Sequence, residues 1–75
     1  MKELVEFMAK SLVDNPDAVT VSEVNGEQSI ILKLSVAPED MGKIIGKQGR
    51  IAKAIRTVIK AVAVKQNKRV IVEII

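Results

Sequence analysis

The 75-residue sequence has no cysteine, no histidine and a single aromatic residue, Phe7. Without cysteine there is no disulfide and no thiolate metal site to reinforce a small fold. Without histidine the usual neutral-pH proton carrier is missing, and no serine sits in a recognisable nucleophile setting. The only adjacent carboxylates, Glu39 and Asp40, follow Pro38 and are accounted for by the positive end of a helix dipole. No set of ligands has the spacing of a metal site. The sequence therefore argues against an enzyme and against a bound cofactor. One aromatic ring also excludes a surface that works by stacking ligands on several of them.

Long apolar runs are missing too. None approaches the ~20 residues needed to cross a bilayer, and Met1 to Phe7 carries two glutamates where a secretory leader would be basic and then apolar. The expectation is a cytoplasmic protein with no membrane contact. The length fits a single domain over residues 1–75, near the lower limit for folding without staples. Its core has to be aliphatic, since 48% of residues are hydrophobic and almost none are aromatic. So small a core leaves a thin margin that self-association would widen.

The last absence is one of charge. Residues 41–72 contain no acidic side chain but nine basic ones: Lys43, Lys47, Arg50, Lys53, Arg56, Lys60, Lys65, Lys68 and Arg69. Residues 1–40 reverse the balance, with three basic side chains against eight acidic. A chain polarised in this way suits a polyanionic partner for its second half, the plain alternative being a solvated basic face.

The pattern of what is present gives six elements. Leu4, Val5, Met8 and Leu12, with Phe7 on the flank, predict a helix from Lys2 to about Val13, stopped by Asn15-Pro16. A β-branched stretch, Val19 to Val24, is followed by Asn25-Gly26, a dipeptide favoured in tight hairpin turns. Gln28 to Val36 alternates, with Ile30, Leu32, Leu34 and Val36 facing one way and Ile31 the exception. Val24 is out of phase with Val19 and Val21, which a bulge near Ser22-Glu23 or fraying would explain. Pro38 opens a short helix that breaks at Gly46. A longer helix starts at Gly49 or Arg50 and reaches about Lys65, with Ile51, Ile55, Val58 and Val62 on one side and Arg50, Lys53, Arg56 and Lys60 opposite. Arg69 to Ile74 alternates again as a last strand. A two-helix crossover between the last two strands suits parallel pairing, giving an α+β domain with helices on one face of a three-stranded sheet.

The segment with chemical content is Ile44-Ile45-Gly46-Lys47-Gln48-Gly49-Arg50-Ile51. Its glycines let a backbone come close to a ligand, and the helix that follows offers N–H groups and a partial positive charge to phosphate. A nucleotide P-loop is excluded: Gly42 and Gly46 are four apart rather than five, and Gln48 stands where Ser or Thr must follow Lys47. A plain helix-turn-helix connection is the ordinary alternative for a lone G-x-x-G.

The setting of that motif, between two helices in a β-α-α-β frame, resembles the KH domain family, whose G-x-x-G loop clamps a nucleic-acid backbone. A helix and strand before the frame resemble the type II arrangement, of order helix-strand-strand-helix-helix-strand. The run Pro38 to Arg50 in so short a chain is similar to the small bacterial stand-alone KH proteins of the KhpA (YlqC-like) group. The resemblance implies a single-stranded RNA-binding protein, an RNA chaperone or post-transcriptional regulator. Gly46, Lys47, Gln48 and Gly49 would touch sugar-phosphate. Ile44, Ile45, Ile51 and Ala54, with Val70 and Val72, would line an aliphatic groove for bases, and Lys43, Arg50, Lys53 and Arg69 would rim it. Aliphatic grooves suit a chain without aromatics, whereas RRM and OB-type readers stack bases on rings. The residues do not separate RNA from single-stranded DNA. The resemblance further implies a homodimer and a larger, KhpB-like KH-containing protein partner. Surplus apolar surface at Ile31, Ile71, Ile75 and Ala61 to Val64 points the same way.

Overall fold

A computed structural model describes all of residues 1–75. It begins with helix α1, Lys2–Leu12, which puts Val5 and Ala9 fully into the core while Leu4 and Met8 pack partly against it. Phe7, expected on the apolar flank, instead points to solvent and is 69% exposed. A 3-10 turn at Pro16–Ala18 follows.

Strands β1, Thr20–Asn25, and β2, Ser29–Ser35, pair antiparallel without interruption from Thr20↔Ser35 to Asn25↔Ile30. There is no bulge at Ser22-Glu23. Val24 is out of phase because it belongs to the other face of the sheet, opposite Ile31. The hairpin loop also departs from expectation. It spans Gly26 to Gln28, is closed by the Gly26 N–H on the Ser29 carbonyl at 2.7 Å, and neither Asn25 nor Gly26 has the positive φ of a two-residue Asn-Gly turn.

After a 3-10 turn at Pro38–Asp40 come α2, Met41–Ile45, and α3, Arg50–Lys65. Strand β3, Arg69–Ile74, then pairs parallel with β2, giving a sheet of order β1-β2-β3. Helix α3 ends in a reciprocal cap: Asn67 takes φ 60° while the Lys68 N–H reaches the Ala63 carbonyl at 2.9 Å and the Asn67 N–H reaches Val64 at 3.1 Å.

The core gathers Ile30, Leu32 and Leu34 of β2 with Val21, Val72, Val5, Ala9, Ile44, Ile55 and Ile59. Helix α3 corrects its expected phase. The buried stripe is Ala52, Ile55, Ile59 and Ala63, while Val58, expected in the core, is 43% exposed. At 100° per residue the stripe is turned by roughly 70° from the isoleucine-valine line. The two alanines account for the turn, since counting Ala52 and Ala63 as buried moves the centre of the stripe away from that line.

Candidate nucleic-acid interface

The loop between α2 and α3 is built from left-handed backbone. Gly46 has φ 74°, Gln48 φ 58° and Gly49 φ 75°, three positive values in four residues. Such conformations cost an ordinary L-residue roughly 1–2 kcal/mol. Gly46 is needed twice over, because a Cβ there would lie 2.6 Å from Cγ1 of Ile51. At Gly49 a Cβ would meet nothing, so only its backbone angle calls for glycine. Ile51, half-buried, thus sets the close approach that bends the chain at Gly46. The Gly46 N–H closes α2 on the Gly42 carbonyl at 2.8 Å, and no side chain caps the start of α3.

The loop exposes Lys47 and Gln48, and Arg50 and Lys53 continue the exposed surface along α3. Arg50 Nη2 lies 3.4 Å from the Gln48 amide oxygen, a long contact that leaves most of the guanidinium free. Of the nine basic residues between 41 and 72, only Lys43 forms an ion pair with a carboxylate. The others are therefore available to an anion from outside the chain.

Lys43 itself is spoken for. Its ammonium hydrogen-bonds to the Asp14 carboxylate and lies 3.9 Å from Asp40. The Asp14 hydrogen bond, helped by the charges of Asp14 and Asp40, raises its pKa above the ordinary 10.5. As a groove rim Lys43 is thus engaged by the acidic half of the chain. Asp40 corrects the reading of Glu39-Asp40 as a dipole cap. It is 1% exposed, and its two oxygens accept the N–H groups of Asp14 at 3.2 Å and Asn15 at 3.1 Å. The carboxylate fastens the segment after α1 to the start of α2 and caps nothing of its own helix.

The aliphatic positions also sort themselves. Ile45 is 41% exposed beside the loop, while Ile44 is fully buried and supports the wall from within. Val72 is buried and Val70 half-buried, both on the helix-facing side of β3. Ala54 is exposed but lies about 200° around α3 from Arg56, and Arg56 is the residue that spans to β3: its Nε donates to the Val72 carbonyl at 3.3 Å. Ala54 therefore does not share a groove with that strand. Arg69 is placed elsewhere too. It alternates with Val70 and stands beside Ser29 on the uncovered side of the sheet, away from the α2–α3 side.

The sequence reading did not single out Arg56, which it put on the solvent face, or Ala52, although the fold places Arg56 against β3 and Ala52 in the buried stripe of α3. The signal was the phase of α3: with Ala52 and Ala63 inward, Arg56 falls next to the buried stripe and above the free edge of β3. Volume is no guide here. A hollow of about 1240 Å³ lies at the far end of α3 between the β1–β2 loop and the turn before β3, with Glu23, Glu27, Lys68 and Arg69 among its lining residues.

Comparison with known proteins agrees with this architecture. The family profile described as "KhpA/KhpB, KH domain" matches residues 2–74. The chain is 81% identical over 75 residues to the RNA-binding protein KhpA of Clostridium acetobutylicum and 75% identical to that of Clostridium perfringens, covering all of both relatives. To the KhpA of Aquifex aeolicus it is 51% identical, over 100% of this chain and 95% of that one. Among solved structures, the Era protein of Aquifex aeolicus bound to GDP and aluminium fluoride superposes with a TM-score of 0.63 at 21% identity. Era in complex with MgGDPNP and nucleotides 1506–1542 of 16S ribosomal RNA gives 0.65, also at 21%. Both likenesses cover 97% of this chain but only 28% of Era, and they speak to the fold. The chain belongs to the KhpA/KhpB family of KH domains, in the type II order of elements.

Proposed function

We propose that the chain binds single-stranded RNA, with the sugar-phosphate backbone on Gly46, Lys47, Gln48 and Gly49 and on the uncapped start of α3. Bases would lie past Ile45 and Ile51 toward Ala52, Arg56 and the free edge of β3. The observation that carries this reading is the combination of three positive-φ residues with a run of cations that have no carboxylate partner in the fold. The relatives named RNA-binding protein KhpA support it. With no aromatic residue in the loop, α3 or β3, affinity rests on phosphate contacts and is modest, salt-sensitive and tolerant of sequence. That profile suits an RNA chaperone or post-transcriptional regulator working in the cytoplasm.

The test is fluorescence anisotropy of a short single-stranded RNA, with single-stranded DNA as competitor, across a salt series. A protein with Lys47→Asp and Gln48→Asp, shown folded by circular dichroism, should lose most of the binding. Retained wild-type affinity in that variant would remove the loop from the mechanism.

A second reading is favoured by the exposed aliphatics Val24, Ile71 and Ile75: the domain also works as a homodimer or beside a larger KH-containing protein of the KhpB type. Light scattering across dilution tests it, and a monomer at every concentration would count against self-association.

A further inference from the structure

Helix α3 has two basic flanks, and they are not equivalent. At 100° per residue Lys53, Arg56 and Lys60 fall within about 60° of one another, whereas Lys65 lies about 140° around the helix from Lys60. Arg56 identifies the first flank. Its Nε donates to the Val72 carbonyl at 3.3 Å, so the Lys53–Arg56–Lys60 line runs beside the free edge of β3. Helix α3 is sixteen residues long, Arg50–Lys65, about 24 Å at 1.5 Å per residue. The loop and the aliphatic groove take up its first half, as far as Arg56. Lys60 stands one turn further on.

The line does not stop with the helix. Strand β3 runs back along α3, so a path from Arg56 toward the end of the helix travels from Val72 toward Arg69. It arrives at the turn of residues 66–68 and the hollow beside it. Gln28, Gln66 and Asn67 give that hollow amide side chains, which donate to and accept from a base edge, and Lys68 gives it a cation. Glu23 and Glu27 line it as well, on the side of the β1–β2 hairpin, and confine a phosphate to the Lys68 side. Lys53, Lys60 and Lys68 are all exposed and form no ion pair. A polyanion that follows the line relieves the repulsion among them.

We propose that the RNA strand continues from Arg56 past Lys60 to Lys68, with phosphates on those two lysines and a flanking nucleotide over the amide-lined hollow. The inference rests on the RNA-binding reading above and extends it. The chain then holds more than the roughly four nucleotides that a G-x-x-G loop and its groove cover.

Fluorescence anisotropy tests it with a mixed-sequence RNA of about five nucleotides, which fills the loop and groove, and one of about twelve that contains it. The proteins are wild type, the double variant Lys60→Gln with Lys68→Gln, and Lys65→Gln as a control from the other flank. Circular dichroism confirms each fold. The double variant should bind the short RNA as wild type does and the long one about tenfold more weakly. Its log–log salt slope on the long RNA should be shallower by about 1.4, for two lost phosphate contacts. Lys65→Gln should change neither. All three proteins meet the same number of registers on the long RNA, so the statistical advantage of length cancels between them. A double variant that keeps the wild-type preference for the long RNA would overturn the proposal and leave the loop reading standing. Equal weakening on both RNAs would also overturn it, by placing the two lysines within the groove. A loss per charge in Lys65→Gln equal to that of the double variant would do the same, by showing that charge acts without a track. A wild-type chain that binds neither RNA would overturn the loop reading and its extension together.

Discussion

In residues 1–40 several carboxylates are put to use inside the fold, whereas in residues 41–72 the cations, Lys43 apart, meet no carboxylate. Asp40 is buried on two backbone N–H groups, Asp14 holds Lys43, and Glu6 pairs with Lys10. Across the second half, Lys43 is the one cation that meets a carboxylate. The difference teaches that a count of lysines and arginines is a weak guide to a polyanion site. What matters is that the fold engages Asp40, Asp14 and Glu6 in its own contacts and leaves the bases of the second half, Lys43 apart, without a carboxylate.

The strongest way to break this division is through the core that both halves share. Leu32→Ala removes a fully buried side chain from the central strand and should cost about 2–5 kcal/mol. In a domain this small that is a large part of its total stability. Urea denaturation reads it directly, and RNA binding should be lost only as the protein unfolds.

A sharper contrast lies within the loop. Gly46→Ala must overcome both a positive φ and contact with Ile51, and should destabilise by about 1–3 kcal/mol. Gly49→Ala meets no neighbour and should cost about 1–2 kcal/mol, the backbone term alone. Equal losses in thermal denaturation would show that the Ile51 contact is not what makes Gly46 necessary.

On the acidic side, Asp40→Ala leaves the part-buried N–H groups of Asp14 and Asn15 without their carboxylate acceptor, a loss of about 1–3 kcal/mol in all. Its signature is local: faster amide exchange at Asp14 and Asn15, with the β2 amides unchanged. The smallest expected effect comes from Asp14→Asn, which releases Lys43 from its nearer carboxylate and leaves only Asp40 at 3.9 Å. Exposed pairs are worth about 0–1 kcal/mol, so RNA affinity should rise by no more than about fivefold. If Lys43 then reaches a phosphate, the salt dependence steepens by about 0.7 in log–log slope. Because the pKa of Lys43 is raised above 10.5, the stabilising effect of its pairing is fully present below that pH. It is lost only as pH rises through the raised value, so neither protein should show this effect titrating near neutrality.

Much of this was legible in the residues. The alternation of Ile30, Leu32, Leu34 and Val36 and the breaks at Pro16 and Gly46 locate the elements to within a residue or two. The G-x-x-G between two helices marks the loop. What was not legible depends on how elements approach one another. Alanine reads as neutral in a hydrophobic pattern, so Ala52 and Ala63 were overlooked as part of the buried stripe of α3. That error of phase put Val58 in the core and hid Arg56. Asp40 looked like a helix cap because its real partners, Asp14 and Asn15, lie some 25 residues earlier in the chain. Arg69 looked like part of the basic rim because period-two alternation does not by itself say which face the helices will cover.

The central claim is that an RNA backbone lies on the Gly46–Gly49 loop and the start of α3. Amide chemical-shift mapping with a short single-stranded RNA tests it most directly. The account predicts that the largest shifts fall on Ile45 to Lys53, with smaller ones at Arg56 and along β3, and that they fade as salt is raised. Shifts confined to α1 or to Val24, Ile31 and Ile71, with the loop silent, would contradict it.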